Sequence, residues 1–173
     1  MSWTQPAYEA VAHVLAERTG LTFPPNRYGP VEQGIRRAMG RARIADVDQY
    51  RALVATSQEA LDDLIVDVTV GETYFFREPA QFQFIRREVL PDIRRRRGSE
   101  HVIRVWSAAC ASGEEAYSLA IVFLEEGLAE RFHLLATDIS RAALAKARLA
   151  TYREWSLRGE GASIARPYLR RRG

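Results

Sequence analysis

The sequence predicts an α/β chain. A small N-terminal helical bundle over residues 1–70 is followed, over residues 71–173, by a βαβ unit of a doubly wound, Rossmann-like sheet. Three observations carry this. Apolar residues recur at helical spacing through the first part of the chain. After Gly98 the period changes to a β-branched run at 101–106. That run leads into a loop of small residues, a helix, a second apolar strand and an acidic residue, the order of a βαβ unit.

The N-terminal part reads as four helices. Tyr8, Val11, Val14 and Leu15 lie at helical spacing, and Gly20 is placed to stop that helix. Pro24-Pro25-Asn26 marks a break. Over residues 31–42, Val31, Ile35, Met39 and Ala42 share one face, while Arg36, Arg37, Arg41 and Arg43 gather on the opposite one. Asp46 is expected to cap a third helix carrying Val47, Tyr50, Leu53 and Val54, and Ser57 a fourth carrying Leu61, Leu64, Ile65 and Val68. Residues 67–77 are a connector. Pro79 suits the first turn of the next helix, with Phe82, Ile85 and Val89 inward, and Pro91 is expected to perturb or end it. The strand at 101–106 precedes the loop 107–112. Gly113 opens a helix to about Glu126, a strand covers 132–137, and Ser140 caps a helix to about Arg148. Beyond Tyr152 the pattern is basic and irregular.

Composition narrows the function classes. With 173 residues, 47% apolar and 27% charged, the chain can bury a core and falls in the ordinary globular class. Its apolar runs are too short for a membrane span, so no membrane insertion is expected. The N-terminus Met1-Ser2-Trp3-Thr4-Gln5-Pro6 lacks the basic and apolar regions of an export signal. The single Cys110 suits a reducing compartment, and a cytoplasmic location is expected. His13, His101 and His133 lack ligand spacing, so no metal site is expected. The net charge of +3 matters less than its clusters: Arg36 to Arg43, the run at 94–97, and Arg170-Arg171-Arg172. Such patches seek phosphates, acidic protein surfaces or anionic membranes. Aromatic residues are not interleaved with them, which argues against a nucleic-acid partner.

The chemistry concentrates at loop 107–113, built from Ser, Ala, Cys and Gly only. Small residues at the C-terminal end of a strand let a ligand approach the backbone, and the following helix N-terminus offers free N–H groups. Asp138 stands at the end of the next strand, where a carboxylate can accept hydrogen bonds from both hydroxyls of a ribose. By itself this pattern also fits a tight turn made for packing. One glycine is not the G-x-G-x-x-G fingerprint, which argues against a nicotinamide-dependent dehydrogenase.

The stretch Arg104-Val105-Trp106-Ser107-Ala108-Ala109-Cys110-Ala111-Ser112-Gly113-Glu114-Glu115-Ala116-Tyr117-Ser118-Leu119-Ala120 resembles the cofactor loop of the chemotaxis-receptor glutamate O-methyltransferases, the CheR type. Its Ser-Gly-Glu-Glu-x-Tyr-Ser core is specific. Thr73-Tyr74-Phe75-Phe76-Arg77-Glu78 is similar to that family's T-x-F-F-R-E segment. Ala136-Thr137-Asp138-Ile139-Ser140 matches a third segment, and Ala147-Arg148 through Tyr152-Arg153-Glu154 a fourth. The order and spacing of all four agree, and the resemblance covers almost the whole chain.

The resemblance implies a class I methyltransferase that uses S-adenosylmethionine, releases S-adenosylhomocysteine and esterifies glutamate side chains of chemotaxis receptors. Asp138 would hold the ribose hydroxyls, Glu115 and Thr73 would contact the cofactor, and Arg77 would pair with its methionyl carboxylate. Gly71 departs from the polar residue, commonly asparagine, that family members carry there. Glu114 is read as serving the helix dipole, Cys110 as a small buried filler, and Phe75, Phe76 and Trp106 as core. Tyr117 is equally a site hydrogen bonder or a packed helix residue. The acidic helical methylation region of receptors would meet Arg36, Arg37, Arg41 and Arg43; a solvated helix face is the alternative. The family's remaining strands lie beyond Gly173, so this chain alone is expected to be inactive. A non-catalytic receptor-docking or cofactor-binding module is the competing function.

Overall fold

The structure, a computed structural model, describes residues 3–170. Arg171 and Arg172 of the C-terminal arginine cluster, and the first two residues of the N-terminus, lie outside the described residues. The chain divides into two compact units, one of residues up to Val70 with Ile139–Ala142, the other of Gly71–Asp138 with the residues from Ala143 on.

The first unit is helical: α1 (Pro6–Thr19), a 3-10 turn (Pro25–Arg27), α2 (Tyr28–Ala42), α3 (Val47–Thr56) and α4 (Gln58–Val68). Local chemistry sets its boundaries. Gly20 ends α1 at φ 77°, a left-handed conformation that glycine adopts without steric penalty, and its N–H donates to the Ala16 carbonyl. The Asp46 carboxylate accepts from the Gln49 N–H at 2.7 Å, and the Ser57 hydroxyl from the Ala60 N–H at 3.2 Å. Both caps stand where the sequence places them. The core gathers Tyr8, Val11 and Leu15 with Val31, Ile35 and Met39, Tyr50 and Val54, and Leu61, Leu64, Ile65 and Val68.

The arginines of α2 and its C-cap, Arg36, Arg37, Arg41 and Arg43, do not form an open row of cations. Arg36 pairs with the buried Glu32 at 3.0 Å and lies 4.6 Å over the Tyr8 ring. Arg37 donates to the Asp67 carbonyl at 3.0 Å, and Arg41 to the Asp63 carbonyl at 3.0 Å and to the Asp67 carboxylate. Arg43 closes the helix in the left-handed region at φ 56°. Ala42, expected inward, is exposed, because the last turn of α2 runs past the core.

The second unit opens with α5 (Pro79–Phe84), a π-helical turn (Ile85–Val89) and α6 (Leu90–Arg97). Pro91 therefore perturbs the helix without ending it. A proline cannot take its place in the regular hydrogen-bond ladder, and the widened turn sits directly before it. Then come β1 (Ile103–Ala108), α7 (Glu114–Glu125), β2 (Phe132–Thr137) and α8 (Arg141–Leu149), followed by a 3-10 turn (Glu154–Leu157), α9 (Ala162–Ala165) and a second 3-10 turn (Arg166–Tyr168). β1 and β2 pair in parallel from Ile103↔Phe132 to Ala108↔Thr137 and make up the sheet among the described residues. The expected α/β unit is present, with β1 starting two residues later than the apolar run.

Its core holds Phe75, Phe76, Phe82, Leu90, Ile103, Leu119, Val122 and Phe123. Phe75 and Phe76 are buried as expected. Trp106 is not: it is 68% exposed, and its strand partner Leu135 is 60% exposed. Strand side chains alternate between faces, and Ile103 and Ser107 take the buried side, so Trp106 falls on the other. Its indole Nε1 donates to the Thr137 hydroxyl at 2.9 Å.

Candidate functional site

The loop after β1 is made by alternate left-handed residues: Ala109 at φ 60°, Ala111 at φ 47° and Gly113 at φ 95°. An alanine in this region is disfavoured by roughly 1–2 kcal/mol, so neighbouring contacts must hold it. The Cys110 N–H donates to the Thr137 carbonyl at 2.9 Å, extending the ladder past the strands, and the Gly113 N–H donates to the Cys110 carbonyl at 2.9 Å. The Ala111 N–H donates to the Asp138 carboxylate at 2.8 Å. Gly113 is required twice over, by its φ and by space, since a Cβ there would stand 2.9 Å from that of Ala147.

Two of the four expected cofactor residues are joined to this loop. Asp138, half-buried at the end of β2, holds Ala111 directly. Glu115, exposed in the first turn of α7, accepts from the Ser107 hydroxyl at 2.6 Å, where β1 runs out. The other two stand on segment 71–78. Thr73 is half-buried, and Arg77 is exposed, its guanidinium donating to the Glu72 carbonyl at 2.6 Å. This segment reaches the loop through intermediaries.

Those intermediaries centre on Glu114. Expected to serve the helix dipole, it is only 2% exposed. One carboxylate oxygen accepts from the Ser112 hydroxyl at 2.7 Å and the other from the Ser156 hydroxyl at 2.8 Å. Its backbone carbonyl accepts from the Ser118 hydroxyl at 2.7 Å. Ser118 in turn accepts from the Phe76 N–H at 2.9 Å, and the Ser156 carbonyl from the Phe75 N–H at 2.9 Å. Phe76 is held at φ 54°, unusual for a bulky residue, against Gly161, where a Cβ would meet that of Phe76 at 2.1 Å. The Tyr152 hydroxyl donates to the Ser112 carbonyl at 2.9 Å. Burial, and then the nearby Glu114 carboxylate, push the Tyr152 phenol above its ordinary value, keeping it a donor.

Sequence reading missed Glu114, Ser118, Ser156 and Tyr152 as one network. The available signal was Ser118 inside the Ser-Gly-Glu-Glu-x-Tyr-Ser core. Tyr117, left open between two roles, donates to the Ala147 carbonyl at 3.0 Å and so ties α7 to α8. Cys110 is buried, and burial followed by the Asp138 charge pushes its thiol upward, away from nucleophilic use. An open cleft of about 740 Å³, lined by Ile93, Arg97, His101, Arg104 and His133, lies at the N-terminal ends of the strands. Ligands of open parallel sheets bind at the carboxyl ends, so that cleft is distinct from the loop site. The described residues hold no cluster of histidine, cysteine and carboxylates suited to a metal, and no helix is long and apolar enough to cross a membrane.

Two family models match the chain. Residues 6–69 match the family model described as CheR methyltransferase, all-alpha domain, and residues 71–173 the model described as CheR methyltransferase, SAM binding domain. The chain is 32% identical over 151 residues to the probable biofilm formation methyltransferase WspC of Pseudomonas aeruginosa, covering 85% of this chain and 35% of that one. It is 28% identical over 159 residues to chemotaxis protein methyltransferase 1 of the same organism, covering 88% and 58%. With chemotaxis protein methyltransferase 2 of Vibrio cholerae it shares 34% identity over 139 residues, covering 76% and 47%. The chain thus spans between 35% and 58% of the length of these relatives.

Proposed function

The chain belongs to the CheR methyltransferase family, and from that premise we propose that it is the S-adenosylmethionine-binding front part of a protein-glutamate O-methyltransferase acting on chemotaxis receptors in the cytoplasm. The observation that supports this most is the strained small-residue loop 107–113, with Glu115 tied to its start and Asp138 to its middle. Both carboxylates stand at the C-terminal end of a parallel pair, where such folds bind nucleotides.

The donor set fits the group. A carboxylate offers about four acceptor positions, so Asp138 can hold Ala111 and still receive a ribose hydroxyl. A guanidinium offers five donors, so Arg77 can keep the Glu72 carbonyl and take a carboxylate. Thr73 stands on the same segment as Arg77, and Glu115 is exposed towards solvent beside the loop. Bound S-adenosylmethionine would supply an electrophilic methyl group. The acceptor, a glutamate with a pKa near 4.3, is already ionised at neutral pH. The chain then needs to align and desolvate, and no general base is required.

For the receptor's acidic methylation helices, the candidate surface is Arg36, Arg37, Arg41 and Arg43. The pairing of Arg37 and Arg41 with Asp67 moderates its charge, so an acidic helix would compete with an internal carboxylate. A non-catalytic docking or cofactor-binding module is the second reading. The two-stranded sheet with its uncovered Trp106 and Leu135 favours it.

The test is calorimetric titration with S-adenosylhomocysteine. Binding is expected, weakened by Asp138→Ala and by Arg77→Ala by about 1.5–3 kcal/mol each, the value of a charge-assisted pair. A response to NADH with none to S-adenosylhomocysteine would overturn the proposal.

A further inference from the structure

We infer that Glu114 is a positioning residue: a buried latch that fixes segment 71–78, and with it Arg77, against the cofactor loop. The inference rests on reading Arg77 and Asp138 as anchors for opposite ends of the cofactor. Asp138 is attached to the loop directly, through Ala111. Arg77 is exposed and hydrogen-bonds within its own segment, so its place relative to the loop depends on what holds that segment.

The two residues before Arg77 supply the hold. The Phe75 N–H is taken by the Ser156 carbonyl and the Phe76 N–H by the Ser118 hydroxyl. Ser156 and Ser118 come from different elements, the 3-10 turn after α8 and the second turn of α7; the Ser156 hydroxyl donates to the Glu114 carboxylate and the Ser118 hydroxyl to the Glu114 backbone carbonyl. The same carboxylate reaches back to Ser112 in the loop. One buried side chain on α7 therefore links the loop to the 3-10 turn and, through the Ser156 backbone, to segment 71–78 at Phe75. A helix-dipole role alone would not need burial or two serine donors, since a solvated carboxylate serves the dipole equally well. Burial of a carboxylate is tolerated when its oxygens are hydrogen-bonded, as both are here. Phe76 at φ 54° shows that the segment is held away from its relaxed conformation, so release of the latch should let it move.

The experiment compares two ligands. S-adenosylhomocysteine carries the amino-acid end that Arg77 would hold, whereas 5′-methylthioadenosine lacks it and retains the ribose for Asp138. Glu114→Ala is expected to weaken S-adenosylhomocysteine about tenfold or more while leaving 5′-methylthioadenosine within about twofold, with Glu114→Gln restoring much of the loss. In parallel, amide hydrogen exchange without ligand should quicken at Phe75, the amide held through Ser156, and stay unchanged in the interior of α7. If both ligands weakened together, or neither did, Glu114 would be no positioning residue. Unchanged exchange at Phe75 would overturn the latch equally. Should Glu114→Ala fail to fold, Ser156→Ala removes one arm of the latch and is judged by the same two readouts. Wild-type protein that binds neither ligand would overturn the cofactor reading itself; the amides still decide the latch.

Discussion

Tyr50 shows how one atom can work against a well-packed site. Its side chain is buried in the helical unit, yet its hydroxyl finds no hydrogen-bond partner among the described residues, and burial pushes the phenol up to about 12. A buried polar group left unsatisfied costs about 1–3 kcal/mol. Tyr50→Phe is therefore expected to leave stability unchanged or raise it by up to about 1 kcal/mol, read as the urea midpoint; a clear loss would show that the hydroxyl has a partner. Glu32 is the opposite case. Burial alone would raise its carboxyl, but donation from the Thr4 hydroxyl, Arg36 and the Thr4 N–H holds it below the ordinary glutamate value. A folded-state value below the unfolded one, near 4.3, adds stability above that pH and loses it as pH falls through the folded value. Glu32→Gln should accordingly lower stability at pH 7 and flatten its decline below about pH 4.3. Stability measured across pH 2–7 checks both; an unchanged slope would mean Glu32 does not titrate as argued.

Between elements, α2 approaches α4 closely at Gly34. A Cβ there would meet the Asp67 carbonyl oxygen at 2.6 Å and Val68 Cγ1 at 3.0 Å. Glycine to alanine inside a helix usually gains up to about 1 kcal/mol. At Gly34 the clash is with backbone and should win, costing about 1–3 kcal/mol. Gly40, in the same helix with nothing near its missing Cβ, should show the ordinary gain. Thermal melts of Gly34→Ala and Gly40→Ala should thus move in opposite directions, and a common direction would refute the close approach. The helix caps, the strand order and the position of Asp138 were legible in the sequence because they are local. Asp46, Ser57 and Gly20 act within four residues, and a strand followed by small residues is a short pattern. What stayed illegible is non-local. Glu114 meets Ser156 across 42 residues, and Asp67 meets Arg37 across 30. Trp106 was misassigned because apolar character does not reveal which sheet face is covered.

At the scale of the whole molecule, the sheet is the decisive feature. Parallel strands ordinarily lie between two covered faces, and α7 supplies cover from one side only. Trp106 and Leu135 remain on the other, and β1 pairs with β2 alone among the described residues. The relatives are longer, this chain spanning between 35% and 58% of them. In a form of this protein carrying the additional length of those relatives, Trp106 is expected to become buried. With Trp3→Phe and Trp155→Phe in place, Trp106 is the only tryptophan of these 173 residues; with any tryptophan of the added length also replaced by phenylalanine, its emission should shift to the blue and resist quenching by iodide. Activity should follow the same geometry. Methyl transfer needs reacting groups held within roughly an ångström of the productive arrangement, which a two-stranded sheet with one bare face is poorly built to impose. The 173-residue chain should therefore methylate receptor fragments negligibly, even where it binds S-adenosylhomocysteine. The longer form should be active, and Arg77→Ala within it should remove most of that activity. Transfer of labelled methyl groups to receptor cytoplasmic fragments measures all three. Robust turnover by the 173-residue chain, with Trp106 still exposed, would show that alignment is achieved without a second covered face.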